Sequence, residues 1–68
     1  MTVAQVLQRL EEIKRHAHDS EFAHSLEDSL HVELIHAIAA GNVPLDEVVE
    51  ACKTASLSST IRFKRWTS

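Results

Sequence analysis

The chain has 68 residues, a formal net charge of −3, and a single cysteine, glycine and proline. This length allows one small domain, and one cysteine excludes an internal disulfide, so the stability that a thin core lacks must come from helix packing, a metal or a second chain. No stretch approaches the roughly 20 apolar residues of a transmembrane helix, and the N-terminus alternates apolar and charged residues, unlike a signal peptide. We therefore expect a cytoplasmic protein with no membrane contact.

The charge is unevenly distributed along the chain. Residues 1–57 hold all ten acidic and four of the basic residues, for a charge of −6, whereas the last eleven residues carry +3 from Arg62, Lys64 and Arg65. An acidic body argues against general nucleic-acid binding, because phosphate contacts need a basic face. We expect the basic segment to associate with the acidic body. A weak nucleic-acid contact, in which Trp66 stacks on a base, is an alternative.

The first predicted helix covers about residues 3–17. Thr2 and Gln5 have the spacing of an N-terminal capping box. Apolar residues then recur every three or four positions in a narrow stripe, which resembles a coiled-coil seam and needs one partner helix. That helix can come from the same chain or from a second one, so the stripe is a candidate partner-binding or homodimer surface. Its members are Val3, Val6, Leu7, Leu10 and Ile13.

The second predicted helix, about residues 20–40, is the central element. Asp19 or Ser20 can cap its start, and Gly41 is suited to the left-handed position that ends it. Its apolar residues cover an arc of about 160°, which is wide enough to contact two neighbouring helices.

The third predicted helix covers about residues 45–56, after Pro44, and its apolar face includes Cys52. Short connections between three helices favour antiparallel neighbours, so the predicted fold is an all-α three-helix bundle. Residues 56–60 have no apolar period and are predicted to form a loop. Residues 57–68 are predicted to form a C-terminal arm, which folds its apolar and aromatic side chains back onto the central helix.

A polar stripe follows the edge of the central helix's apolar face. Its members, three or four residues apart, are His24, Glu27, Asp28 and His31. Histidines and carboxylates at this spacing can bind a metal, but the other two helices offer no inward ligand, so such a site would need an oligomer or few ligands. The same residue types perform acid–base catalysis, yet no cleft or obvious nucleophile accompanies them. We therefore expect neither enzyme activity nor a cofactor.

The favoured interpretation of the stripe is a polar docking network between the central helix and the arm. In it, the carboxylates and histidines of the stripe hydrogen-bond one another and receive the arm's cationic and indole groups. The predicted members are His24, Glu27, Asp28, His31, Arg62, Arg65 and Trp66.

The chain also resembles a group of short proteins of actinobacteria and their phages. These share a central Ala-His-x-x-Glu-Asp-x-Leu segment and end in aromatic-x-Arg-Trp, and the resemblance covers most of the chain. The chain departs from this group at Arg62, where the group would have an acidic residue. The resemblance implies no particular activity. The matching positions are Ala23, His24, Glu27, Asp28, Leu30, Phe63, Arg65 and Trp66.

Together these observations predict a small non-enzymatic protein–protein interaction module. The leading hypothesis is that this module is phage-encoded and modulates a host or replication protein. Metal binding through the polar stripe is the first alternative, and a nucleic-acid contact through the basic arm is the second.

Overall fold

The structure is a computed structural model that describes residues 1–65. It contains three α-helices: α1 (Val3–Arg15), α2 (Ser20–Ala39) and α3 (Val48–Ser56). Short 3-10 helices precede and follow α3, at Leu45–Glu47 and Leu57–Thr60. Residues 1–65 contain no strand, which confirms the predicted all-α three-helix bundle.

Local hydrogen bonds explain where α1 and α2 begin. The Thr2 hydroxyl accepts from the Gln5 amide at 3.2 Å, and the Gln5 side chain accepts from the Thr2 amide at 2.8 Å, which is the predicted capping box. At the start of α2, the Asp19 carboxylate accepts from the Phe22 amide at 3.2 Å.

The end of α2 depends on its glycine. Gly41 adopts φ +74°, a left-handed conformation that glycine accepts without strain. Its amide donates to Ile38, and the Asn42 amide donates to Ala37, as in a Schellman motif. This turn returns the chain, so that α3 runs antiparallel to α2.

The expected loop at residues 56–60 is wrong, because the chain stays helical to Thr60. The hydroxyls of Ser56, Ser59 and Thr60 each donate to the carbonyl three residues earlier, at 2.6 to 2.9 Å. These bonds satisfy carbonyls that a helix end would otherwise leave without partners. The arm therefore begins at Ile61 rather than at residue 57.

The core lies where α1 packs against both α2 and α3. This arrangement supplies the stripe on α1 with partner helices from the same chain, which is one of the two alternatives that its spacing left open. Val6, Leu10 and Ile13 are buried in the chain's own core, and Val3 packs against it. Leu7 alone of the five stripe residues stays substantially exposed, at 49%. The other four are not available to a second chain.

The inner face of α3 also differs from expectation. Ala51, Thr54 and Ala55 are buried, whereas Cys52 is exposed. A residue that follows Ala51 is turned by about 100° around the helix, which moves Cys52 to the outer side. Among residues 1–65, no helix is both long and apolar enough to cross a membrane.

Candidate functional site

The polar stripe of α2 meets the C-terminal arm at a buried ion pair. Glu27 is only 6% exposed, although it is a glutamate. Arg65 approaches it with two parallel hydrogen bonds, Nε to Oε1 at 3.0 Å and Nη2 to Oε2 at 3.1 Å. This bidentate geometry gives the strongest form of an arginine–carboxylate contact.

The same guanidinium also fixes the path of the arm. Nη2 lies 2.7 Å from the Ser58 carbonyl oxygen and 3.1 Å from that of Ile61, and the group stacks 3.9 Å from the centre of the Phe63 ring. One side chain thus connects α2, the second 3-10 helix and the arm. Ile61 is buried beside it, and the Lys64 amide donates to the Ser20 hydroxyl at 3.2 Å. These contacts hold residues 61–65 on α2.

Ser58 completes the network beneath the ion pair. It is fully buried, and its hydroxyl contacts both the Glu27 carboxylate and Nε2 of His31, the latter at 3.1 Å. The same nitrogen lies 3.4 Å from the Ala55 carbonyl oxygen. A carbonyl oxygen only accepts, so His31 donates from Nε2. His31 therefore carries its proton on Nε2.

The network also determines the charge state of Glu27. Burial raises the pKa of its carboxyl group. Hydrogen bonds from Arg65 and Ser58, together with the positive charge of Arg65, lower that pKa by more, so it lies below its ordinary value. Glu27 is consequently an anion at neutral pH and serves as a fixed acceptor.

The structure separates the predicted metal ligands. His24 pairs with Asp28 at 3.5 Å on the more exposed side of α2, while Glu27 and His31 turn inward to Arg65 and Ser58. No group of three or more potential ligands is found within residues 1–65. The four candidate ligands of this stripe are thus divided between two separate contacts, His24 with Asp28 and Glu27 with Arg65.

The other members of the predicted docking network take different positions. Arg62 is exposed, three residues before the arginine that docks. Trp66 lies outside the described residues. Of the seven predicted members, the structure brings Glu27, His31 and Arg65 into one network, and it adds Ser58, which the sequence reasoning treated as part of a loop.

A second feature lies between α2 and α3 beside the polar network, because His31 belongs to both. Ile35 and Cys52 line an apolar groove of about 240 Å³ between the two helices. Val32 lies one turn before Ile35, and Val49 one turn before Cys52. Leu45, in the first 3-10 helix, is four residues before Val49. We call these five residues the α2–α3 face: Val32, Ile35, Leu45, Val49 and Cys52.

The exposure of this face is high for large apolar side chains. Ile35 is 64% exposed, Val49 66% and Leu45 95%. Four of the seven large hydrophobic residues exposed within residues 1–65 belong to it. The sequence contained a signal for the face, because Ile35 lies outside the buried arc of α2 and Val49 and Cys52 are one turn apart on α3.

Comparison with known proteins adds no relative: no protein-family model, curated protein or solved structure matches this chain.

Proposed function

We propose that this protein is a small, non-enzymatic protein–protein interaction module of the cytoplasm, and that the α2–α3 face is its contact surface. The observation that carries the proposal is the apolar groove between α2 and α3 that Ile35 and Cys52 line, with the exposed side chains of Val32 and Val49 one turn away along the two helices. Contiguous apolar surface of this kind marks interaction sites in soluble domains.

The polar network around Glu27 also supports a non-enzymatic function. Ser58 and His31 resemble a nucleophile and its base, but Ser58 is fully buried and cannot meet a substrate. Arg65 is committed to Glu27, which weakens the nucleic-acid alternative because that alternative needs a free basic arm. The chemically suggestive residues thus hold the fold together.

The proposed partner binds as an apolar helix or helix pair in the α2–α3 groove, as helix-in-groove complexes do. Because the chain resembles proteins of actinobacteria and their phages, we further propose that the module is phage-encoded, and that it acts by modulating a host or replication protein. Ile35 lies at the centre of the face and should dominate the binding energy, because central buried side chains usually do.

The experiment compares three forms of the full chain as bait: wild type, Ile35→Asp and Leu7→Asp. Leu7 is a matched control, because it too is a large, exposed aliphatic residue in a helix, but it lies on α1. The baits are exposed to an actinobacterial lysate that also contains an untagged copy of the chain. Wild type and the Leu7 variant should retain the same polypeptide, and the Ile35 variant should lose it. Equal retention by all three baits, or retention by none, would contradict the proposal.

A further inference from the structure

We infer that a second copy of this chain covers the α2–α3 face, so that the protein is a homodimer through α2 and α3. This inference rests on the proposed function and names the partner of the same surface. It replaces the dimer that the stripe on α1 suggested, since that stripe is buried within the chain.

The thin core is the first argument for a second copy. Three of the ten buried hydrophobic residues are alanines, and the largest fully buried side chains are Ile13, Leu30, Val6 and Ser58. One cysteine gives no internal disulfide. Small domains with so little core commonly gain stability by oligomerisation. Here the apolar side chains that would enlarge the core are exposed on two of the three helices that form it.

The available area is the second argument. A stable complex buries about 800 Å² on each partner. The accessible surface of this chain is 4664 Å², so such an interface takes roughly one sixth of it. One side of a body that measures 34 × 22 × 14 Å can supply this area.

Charge is the third argument, and it favours a copy over a strongly charged partner. The groove is lined by His31, Leu34, Ile35, Cys52, Ala55 and Ser56, without an acidic or permanently basic side chain. The charged residues lie outside the groove: Asp28 and Glu33 line the pocket beside Val32, and Lys53 follows Cys52 on α3. The uncharged groove of one copy can therefore meet that of another without repulsion, whereas a strongly charged partner finds no opposite charge in it.

The test is sedimentation of the purified full chain over about a hundredfold range of concentration, which covers two decades in Kd. Wild type should change from monomer to dimer within this range. Ile35→Asp places a charge on the α2 side of the face, and Val49→Asp places one on the α3 side. Each substitution should raise the Kd of the dimer at least about tenfold. Leu7→Asp should leave it intact. Circular dichroism checks that all four proteins remain helical, since the substituted side chains are exposed.

Cys52 provides an independent reporter on the same surface. It is exposed in the single chain, so it should react readily with a maleimide at low protein concentration. At high concentration the reaction should slow in wild type and in Leu7→Asp, but not in Ile35→Asp. A dimer in which Cys52 reacts equally fast at every concentration would place the interface elsewhere and overturn the inference.

The remaining outcomes separate this inference from the proposed function. A wild-type chain that stays monomeric overturns the homodimer. If that monomer still retains a foreign protein in an Ile35-dependent way, the proposed function stands and its partner is that protein. If Ile35 affects neither self-association nor capture, both proposals fail.

Discussion

The inner and outer sides of α2 differ in how completely their side chains are used. The inner polar edge carries Glu27 and His31, and among residues 1–65 no buried polar side-chain atom lacks a hydrogen-bond partner. The outer side carries Val32 and Ile35, which are at least half exposed and line only shallow surface. The polar groups on one side of this helix have their partners within the chain, whereas the apolar side chains on the other side are exposed.

This difference shows that unusual chemistry in a sequence can serve the fold. Histidines and carboxylates drew attention to the inner edge, yet their role there is to bind an arginine from the arm. The aliphatic residues on the outer side have no distinctive chemistry in a sequence. The fold nevertheless leaves their side chains exposed and available for binding. The contrast between a closed inner network and an open outer face can be tested by substitution.

The largest effect should follow removal of Arg65. Arg65→Ala leaves the Glu27 carboxylate buried without its counter-charge, and a broken buried pair costs about 3–5 kcal/mol. The Arg65 side chain is 32% exposed, so water reaches part of the pair. We therefore expect a loss of about 2 to 3 kcal/mol in the free energy of unfolding, measured by urea denaturation.

Arg62→Ala is the matched control, because it removes an exposed arginine three residues away in the same arm. Its effect should stay within about 0.5 kcal/mol. If the two variants lose equal stability, the arm is not held by the Glu27 contact, and the inner edge is not closed in the way described.

A smaller loss should follow Ser58→Ala. The hydroxyl is fully buried and bridges Glu27 and His31, so its removal leaves both groups with one partner fewer. Losing a buried hydrogen bond of this kind costs about 1–2 kcal/mol, which thermal or urea unfolding can measure. Ser59→Ala, at an exposed position in the same 3-10 helix, is the control and should change stability by less than half as much. A neutral Ser58→Ala would show that the bridge does not contribute.

The pH dependence of stability should reveal the charge on Glu27. Because the pKa of this carboxyl is lowered in the folded state, its contribution is fully present above the ordinary glutamate pKa of about 4.3 and is lost as pH falls through the folded value. Wild type should therefore lose its advantage over Glu27→Gln as pH decreases from 7 to 3. The measurement is urea unfolding of both proteins at several pH values. Parallel pH profiles for the two proteins would contradict a lowered pKa.

Much of the fold could be predicted from the sequence because its signals are local. The capping residue Thr2 and the turn at Gly41 act within a few residues of themselves, and helical periodicity depends only on spacing. The third helix ends at Ser56, as predicted, but the loop expected after it was wrong. Serine and threonine are typical of loops, but here their hydroxyls satisfy carbonyls, and a 3-10 helix follows to Thr60.

The site was harder to predict, because its contacts join distant parts of the chain. Charge distribution indicated that the arm would meet α2, but it could not choose Arg65 over Arg62. That choice depends on the carbonyls of Ser58 and Ile61, whose positions are set by the second 3-10 helix. Periodicity likewise grouped Cys52 with the inner face of α3, because a short helix tolerates more than one assignment of its buried side.

The smallest effect on the fold should come from the open face. Ile35→Ser removes a side chain that is 64% exposed, so the stability of the isolated monomer should change by no more than about 0.5 kcal/mol. Association should make wild type and Ile35→Ser differ in how their thermal midpoints depend on protein concentration. If a second copy covers the face, the thermal midpoint of wild type rises with protein concentration, because only the folded chain pairs. The midpoint of Ile35→Ser should stay nearly constant over the same range. A large loss in the monomer would mean that Ile35 belongs to the core, and the contrast between the two sides of α2 would no longer hold.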